Sequence, residues 1–415
     1  MATTRSFNAM LNDYLPNKML SEEIIKRDWF LKNVPQDHSW KGGELKTPFV
    51  GNEASSIAFG SLTDSTDIAQ AEYVKGYLSD YIEVWGTMLF NQRDLMENDG
   101  KIPDTTFLKI LPDKIEGFLQ HMKEVVSINL LKGPYFAAVS TDSSPTDAAN
   151  GILTVDKVDR FMVDQKVTLD DDNSSAADYY VTAVDLNNST VTISATRGST
   201  AANVSAYTAA QNAVFYHDGA DSAYFQSVYS LLRTYAGGGS EKVQNVTKTS
   251  WPHLQAINID GSTVTSTNIL DKVFDAYTTI RSRARGNANV ILMDYTNLGS
   301  VMKAIEVQKG GFKTSVGQTT ASEYGWTEIE ITSVKGTLKI VGIQEMSSSE
   351  IFFLDMKSWK FYSNGFFRKR TAPDGKQFFE SRATTGYTYI VDISLFGDLA
   401  CLKPSSNGIM YSISY

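Results

Sequence analysis

The feature that most constrains the fold is a change of composition in the middle of the chain. Between Glu124 and Glu241 the sequence contains no glutamate, and between Trp85 and Trp251 it contains no tryptophan. Aspartate, alanine, serine, threonine and asparagine dominate this stretch, and its short alternating apolar and polar segments are typical of β-strands. We therefore predict an independently folded small β-domain, a barrel or a sandwich, inserted at residues 141–217.

Length and charge limit the remaining possibilities. At roughly 150 residues per domain, 415 residues predict two or three domains. The net charge is 38 − 47 = −9, which argues against a dedicated nucleic-acid-binding protein because phosphate neutralisation needs a surplus of basic residues. No apolar run approaches the roughly 18 residues of a membrane span, and the first residues lack the apolar core of a signal peptide. We expect a protein made in a cytoplasm-like compartment, without a membrane partner.

Outside the insertion, helical and β patterns are mixed, which predicts an α+β fold. Pro112 and Gly133 bracket a one-sided apolar pattern, so we expect a long spine helix at about 112–132. Further helices are expected after Ser21, around Tyr224–Tyr235, after Asn268 and around Leu298–Ile305. Residues 40–70 predict a long two-stranded loop, Tyr73–Leu89 fits a strand or a helix, and the last 90 or so residues are rich in β patterns.

Catalytic motifs are missing from the sequence. There is one cysteine, Cys401, and four scattered histidines, so neither a disulfide framework nor a Cys- or His-based metal site is expected. No phosphate-binding loop, nucleophile elbow or His-Glu-x-x-His motif occurs. The acidic run Asp170–Ser175 lacks the glycine and glutamate of an EF-hand loop, and a solvated turn is favoured over a weak cation site. We expect no enzyme, no cofactor and no metal.

Arg368 and Arg370 flank Lys369 in a strand near the C-terminus. Because side chains alternate between the faces of a strand, the two arginines should share one side. One interpretation is a charged edge strand that discourages aggregation. The other is a contact with an acidic neighbouring subunit or with DNA phosphate.

Five strings in the C-terminal half carry a family resemblance. They are Asn268–Thr279, Tyr324–Ile329, Val334–Leu338, Asn364–Arg370 and Gly386–Asp392. In these strings, and in the order of its parts, the chain resembles the major capsid protein of tailed bacteriophages, the Hong Kong 97-like fold shared with encapsulins. The similarity is greatest to short-tailed-phage types with a β insertion domain. The first 140 residues match by architecture only.

The resemblance implies a division of the chain into named parts. These are an N-terminal arm (1–35), an extended β loop (36–75), a peripheral domain with the spine helix (76–140), the inserted β domain (141–217), a return to the peripheral domain (218–254), an axial domain (255–385) and C-terminal strands that complete the core (386–415).

The resemblance also implies a function. Subunits would assemble through hexamers and pentamers into an icosahedral phage head enclosing double-stranded DNA, formed in the host bacterial cytoplasm and ending in the virion. A separate scaffolding protein, a portal and a decoration protein are expected as partners, with non-specific contact to packaged DNA. Lys41 and Lys46 are available for cross-linking between subunits, but cross-linking is not expected because no catalytic glutamate can be assigned. The expected assembly contacts are Trp29, Phe30, Phe49, Ile57, Phe59, Arg368 and Arg370.

Two alternatives stay open at this point. An encapsulin-like compartment would share the fold but enclose enzymes in place of DNA. A surface- or glycan-binding module would use the β insertion, with Tyr179, Tyr180 and Tyr207 as aromatic platforms for sugars, and would be a monomer.

Overall fold

The computed structural model shows a mixed α+β chain with several sheets and, in the part it describes, few helices. It describes residues 28–41, 43–52, 72–78, 82–91, 107–139, 150–170, 176–198, 213–220, 224–234, 242–283, 286–307, 328–333, 336–365, 367–371, 379–383 and 386–414. Two compact units are present, one formed by the residues before Ile128 and after Val228, the other by Ile128–Val228.

Five α-helices lie within the described residues. They are α1 (Trp29–Asn33), α2 (Phe107–Leu131), α3 (Val228–Leu232), α4 (Ile269–Arg283) and α5 (Tyr295–Val307). Helix α2 corresponds to the predicted spine but begins five residues before Pro112. A proline inside a helix costs one backbone hydrogen bond and crowds the preceding turn. The 25-residue helix nevertheless runs through Pro112, so this proline does not mark its start. Helix α3 is shorter than the predicted Tyr224–Tyr235, and the buried Lys248 ammonium binds the Ser230 and Arg233 carbonyls at its C-terminal end.

The strands hold more of the described residues than the helices do. They are β1 (Gln36–Asp37), β2 (Leu45–Asn52), β3 (Glu72–Leu78), β4 (Ile82–Asn91), β5 (Tyr135–Ala138), β6 (Ile152–Thr154), β7 (Lys166–Asp170), β8 (Ala177–Asp185), β9 (Thr190–Ser194), β10 (Val214–His217), β11 (Lys242–Val243), β12 (Val246–Thr247), β13 (Ile257–Asp260), β14 (Val290–Met293), β15 (Glu328–Ser333), β16 (Gly336–Gly342), β17 (Ile351–Leu354), β18 (Trp359–Ser363), β19 (Arg368–Lys369), β20 (Phe379–Ala383), β21 (Gly386–Cys401) and β22 (Gly408–Tyr411).

The first unit contains two six-stranded sheets. In one, the 16-residue strand β21 pairs with β4 along one edge and with β18, β19 and β20 along the other, and β1 joins β18. The other has the order β13-β22-β17-β14-β16-β15. Its core is formed with α4 and α5, whose apolar faces include Ile269, Val273, Ile280, Leu298 and Val301. Strands β2 and β3 form a separate two-stranded sheet.

The second unit is a β structure with its own core. Its strands follow the order β5-β10-β7-β8-β9-β6, and a bridge between Val139 and Val155 joins the two ends, so the sheet closes on itself. Phe136, Phe161 and Phe215 fill its centre. The unit is wider than the predicted 141–217, because β5 precedes that range and pairs with β10.

Several predicted features lie outside the described residues. These are the helix start at Ser21, residues 53–70 of the predicted two-stranded loop, most of the acidic run Asp170–Ser175 and Tyr207. The ambiguous segment Tyr73–Leu89 falls in two strands, β3 and β4. Its aromatic and β-branched residues favour strands, and pairing with β2 and β21 decides the outcome.

Close packing of α2 on β4 depends on Gly86. A Cβ atom at this position would lie 2.7 Å from the Phe118 ring and 2.8 Å from the Met122 sulfur. We expect Gly86→Ala to lower the free energy of unfolding by about 1–3 kcal/mol, since the helix must move or its side chains must leave their rotamers. Urea unfolding of the purified subunit measures this.

Gly117 provides the matched control for that substitution. It lies on α2 with nothing within 4 Å of an added Cβ, so Gly117→Ala should raise stability by about 0.5–1 kcal/mol through helix propensity. Equal effects of the two substitutions would contradict the packing argument.

Candidate assembly surfaces

One face of the β4–β21 pair carries large apolar side chains that are exposed to solvent. Trp85, Thr87 and Leu89 alternate along β4 and therefore point to the same side, which we call the outer sheet face. Trp85 is 59% exposed and Leu89 is 60% exposed. The opposite side is core, where Met88, Val391 and Ile393 are buried. Large apolar side chains clustered on one exposed face are typical of an interaction surface.

Charged groups surround the outer sheet face. The Arg370 guanidinium lies 3.8 Å from the Glu83 carboxylate, and the Arg370 amide donates to the Asp392 carbonyl. The Asp392 carboxylate in turn accepts a hydrogen bond of 2.8 Å from the Thr87 hydroxyl. Ser394 of β21 lies opposite Trp85 of β4 on one side and opposite Arg368 of β19 on the other. Arg368 and Trp85 are therefore separated by one strand. The face thus has an apolar centre and a polar border, the arrangement found in protein–protein interfaces.

The two arginines share one side of the strand, as the alternation predicted. Both are exposed, whereas Lys369 between them is only 4% exposed. The Arg368 guanidinium also lies over Gly365, where an added Cβ would come within 2.0 Å of it. Gly365 has a φ of 74°, a conformation that glycine adopts without steric cost.

Burial of Lys369 gives a pH-dependent prediction. Desolvation of its ammonium lowers the pKa of Lys369 to about 8 from 10.5. The unfolded chain therefore binds more protons than the folded chain between these values, and this residue makes stability rise with pH across that interval. We expect Lys369→Met to remove that rise. Urea unfolding of both proteins at the two ends of the interval measures it, and an unchanged difference between the two pH values would contradict it.

Strands β2 and β3, which we call the ribbon, pair mainly with each other. The Phe49 side chain is 1% exposed and covers Gly76, where an added Cβ would lie 2.2 Å from its ring. Lys46, Lys75 and Tyr77 are exposed. The sequence predicted an extended two-stranded loop here, and the described strands are Leu45–Asn52 and Glu72–Leu78.

The segment around α1 is held inside the subunit. The Phe30 ring packs edge-on against Trp359 with their centroids 6.3 Å apart, and Phe30 is 1% exposed. The Asp28 carboxylate caps α1 by accepting from the Leu31 amide at 2.7 Å. Burial raises the pKa of Asp28, while a hydrogen bond from Ser127 opposes that shift. These contacts fix the start of the described chain against the first unit.

The structure therefore divides the predicted assembly contacts. Phe30 and Phe49 are buried by their own chain and contribute to subunit folding, because their rings find apolar partners there. Trp29 is partly exposed, and Arg368 and Arg370 are exposed. Ile57 and Phe59 lie outside the described residues. The sequence reasoning missed Trp85 and Leu89, since the ambiguity between strand and helix over Tyr73–Leu89 concealed the alternation that places them on one face.

No catalytic arrangement is evident in the part of the chain that the structure describes. Burial raises the pKa of the Cys401 thiol to about 12, so this cysteine is held as an unreactive thiol. Within the described ranges, no three carboxylate, histidine or cysteine side chains are grouped closely enough to hold a metal ion. Among the same residues, no helix has the length and apolar character needed to cross a membrane.

Comparison with known proteins finds similarity in solved structures alone. No family model matches the sequence, and no curated protein matches it. The capsid of the native GTA particle is 8% identical, with a TM-score of 0.46 over 92% of this chain and 89% of that one. The capsid of cyanophage A-1(L) is 11% identical, with a TM-score of 0.43 over 92% and 91%. The virus-like particle from Pyrococcus furiosus is 8% identical, with a TM-score of 0.38 over 95% and 96%. Phage capsids, the family named from the sequence, recur among these structures.

Proposed function

We propose that this chain is the major capsid protein of a tailed bacteriophage, which assembles into a closed shell around double-stranded DNA. The observation that carries the proposal is the outer sheet face, an exposed apolar surface on a folded subunit. The strings in the C-terminal half that are similar to tailed-phage capsid proteins support it independently of that surface.

The energetics favour repeated association of identical subunits. Burying a tryptophan or leucine side chain contributes about 1.5–3 kcal/mol, so one contact through Trp85 and Leu89 is of modest strength. A shell repeats such a contact in every subunit, and linked contacts reinforce one another. If a surface binds a different region of the next copy, the subunits form a ring when the rotation from one copy to the next closes after a whole number of copies. Hexamers and pentamers are rings of this kind.

The extended loop of a neighbouring copy is the occupant that fits this surface. Between Lys46 and Lys75 the sequence contains four acidic residues and no basic one, together with Ile57 and Phe59. Such a segment matches an apolar centre bordered by Arg368 and Arg370, because opposite charges steer the encounter and fix its orientation. The net charge of −9 keeps free subunits apart until these local contacts form.

The finer parts of the proposal follow the family resemblance. The chain would adopt the Hong Kong 97-like arrangement, with the first unit forming the peripheral and axial domains and the second unit forming the insertion. Assembly would take place in the host bacterial cytoplasm with a separate scaffolding protein, and a portal and a decoration protein would complete the head.

Negative-stain microscopy and sedimentation of the purified chain test the function, with and without lysate from phage-infected cells. Icosahedral shells, or hexamers and pentamers, are the expected result. Nuclease-protected DNA inside shells from infected cells would separate a phage head from an encapsulin-like compartment. A monomer of 45.8 kDa under all conditions, and in particular one that binds glycans, would overturn the proposal in favour of the binding module.

A further inference from the structure

The turn between β11 and β12 has an unusual backbone and an unusual environment. Its two central residues, Gln244 and Asn245, have φ values of 44° and 65°. Two successive positive φ values define the tight hairpin turn that asparagine favours and glutamine seldom enters. Gln244 is nevertheless completely buried. Such a conformation persists only where surrounding contacts hold it in place.

Those contacts join the turn to both strands of the ribbon. The Tyr77 amide of β3 donates to the Gln244 carbonyl at 3.0 Å, and the Asn245 side-chain amide donates to the Tyr77 carbonyl at 2.9 Å. The Thr47 hydroxyl of β2 donates to the Gln244 side-chain carbonyl at 3.3 Å. The turn therefore contributes backbone and side-chain groups where a third strand would otherwise pair with the ribbon.

The same turn also reaches the long strand β21. The Gln244 side-chain amide lies 3.4 Å from the Cys401 carbonyl and donates to it. Beside it, Trp40, Leu78 and Ala400 form a small apolar cluster at the base of the ribbon. Gln244 thus bonds to both ribbon strands and to β21, through its backbone carbonyl and its side chain.

We propose that the Gln244–Asn245 turn is a clamp that sets the direction in which the ribbon leaves the subunit, and that Gln244 and Asn245 are positioning residues for assembly. The second part of this proposal rests on the proposed capsid function. Strand β2 has eight residues, which span about 26 Å at roughly 3.3 Å per residue. A change of about 10° at the base of such a lever displaces its far end by about 5 Å. That displacement exceeds the tolerance of a packed interface, where side chains interdigitate.

Two substitutions of Asn245 test the clamp without removing the turn. Asn245→Gly retains positive φ and deletes the side chain, while Asn245→Asp retains the shape and removes the amide donor. Asn33→Asp is the matched control, because the Asn33 side-chain amide also donates to a backbone carbonyl, that of Trp29, at 2.7 Å on the surface. Hydrogen exchange of the unassembled subunit, followed by mass spectrometry of the peptide covering β3, reports on the ribbon directly.

Both Asn245 variants should exchange the β3 amides at least about tenfold faster than the control, since a 1.4 kcal/mol loss corresponds to a factor of ten. Shells from these variants should be malformed or of mixed size, with subunit unfolding close to that of the control. Unchanged β3 exchange would overturn the clamp. Faster exchange with shells of normal yield and size would overturn the positioning role.

The design separates this inference from the capsid proposal. Hydrogen exchange is measured on single subunits, so it tests the clamp even if the wild-type chain forms no shells. Failure of the wild-type chain to assemble overturns the capsid function and with it the positioning role, whereas normal wild-type assembly with an unresponsive ribbon overturns the clamp alone.

Discussion

Replacing Trp85 and Leu89 together by glutamate is expected to abolish shell formation while leaving the subunit folded. Both side chains are about 60% exposed, so the substitutions remove little from the core. In the assembled state each substitution removes about 1.5–3 kcal/mol of free energy that burial of the apolar side chain would contribute. A buried carboxylate that cannot be hydrated adds a further cost. A loss of about 3 kcal/mol already lowers the association constant of one contact more than a hundredfold.

Sedimentation of the variant beside the wild type measures this loss, and circular dichroism with urea unfolding verifies the fold. Leu186→Glu is the matched control, because Leu186 is 67% exposed on the turn between β8 and β9 of the second unit. The control should form shells. Shells of wild-type yield from the double variant would show that the outer sheet face takes no part in assembly.

Replacing Asn407 by leucine is expected to lower the free energy of unfolding by about 3–5 kcal/mol. Asn407 is completely buried, and its side-chain oxygen accepts from the Asp355 amide at 2.8 Å and from the Trp359 indole at 3.0 Å. Its side-chain amide donates to the Ser358 hydroxyl and the Lys403 carbonyl, both at 2.9 Å. Leucine has a similar size but leaves the Asp355 amide and the Trp359 indole without this acceptor in the interior, and each such group costs about 1–3 kcal/mol. The Ser358 hydroxyl still donates to the Asp355 carbonyl, and the Lys403 carbonyl still accepts from Ser406.

Urea unfolding of the subunit measures the effect of Asn407→Leu. Asn33→Leu is the control, since Asn33 is exposed and its carbonyl partner on Trp29 can bind water instead. The control should change stability by less than about 0.5 kcal/mol. A similarly small change for Asn407→Leu would show that the network around this residue relaxes without loss.

Local signals in the sequence predicted much of the fold because they depend on neighbouring residues. Alternation marks β8 and β9 as strands, and an unbroken apolar run, Val290–Met293, marks β14. Pairing between distant segments could not be read in this way. The partnership of β4 with β21 joins residues about 300 positions apart, as the bond between Thr87 and Asp392 illustrates. That partnership decides which side of β4 meets solvent, so the outer sheet face became visible only in the structure.

Burial of Phe30 and Phe49 by their own chain could not be read from local sequence either. An apolar ring in an arm or loop is a reasonable interface residue when the body of the subunit cannot be seen. Trp359 lies more than 300 positions from Phe30, and the turn at Gln244 lies nearly 200 positions from Thr47. Tertiary packing brings Trp359 to Phe30, and it brings the turn at Gln244 to the ribbon that contains Phe49.

The closed sheet of the second unit has a consequence for protein engineering. Its entering strand β5 and its leaving strand β10 are antiparallel neighbours, with Tyr135 opposite Tyr216. The chain therefore enters and leaves this unit through two adjacent strands, separated by about 5 Å. A tight loop could reconnect them, and a foreign domain with closely spaced ends could take the place of the barrel. The second unit can therefore be replaced or removed at these two adjacent strands.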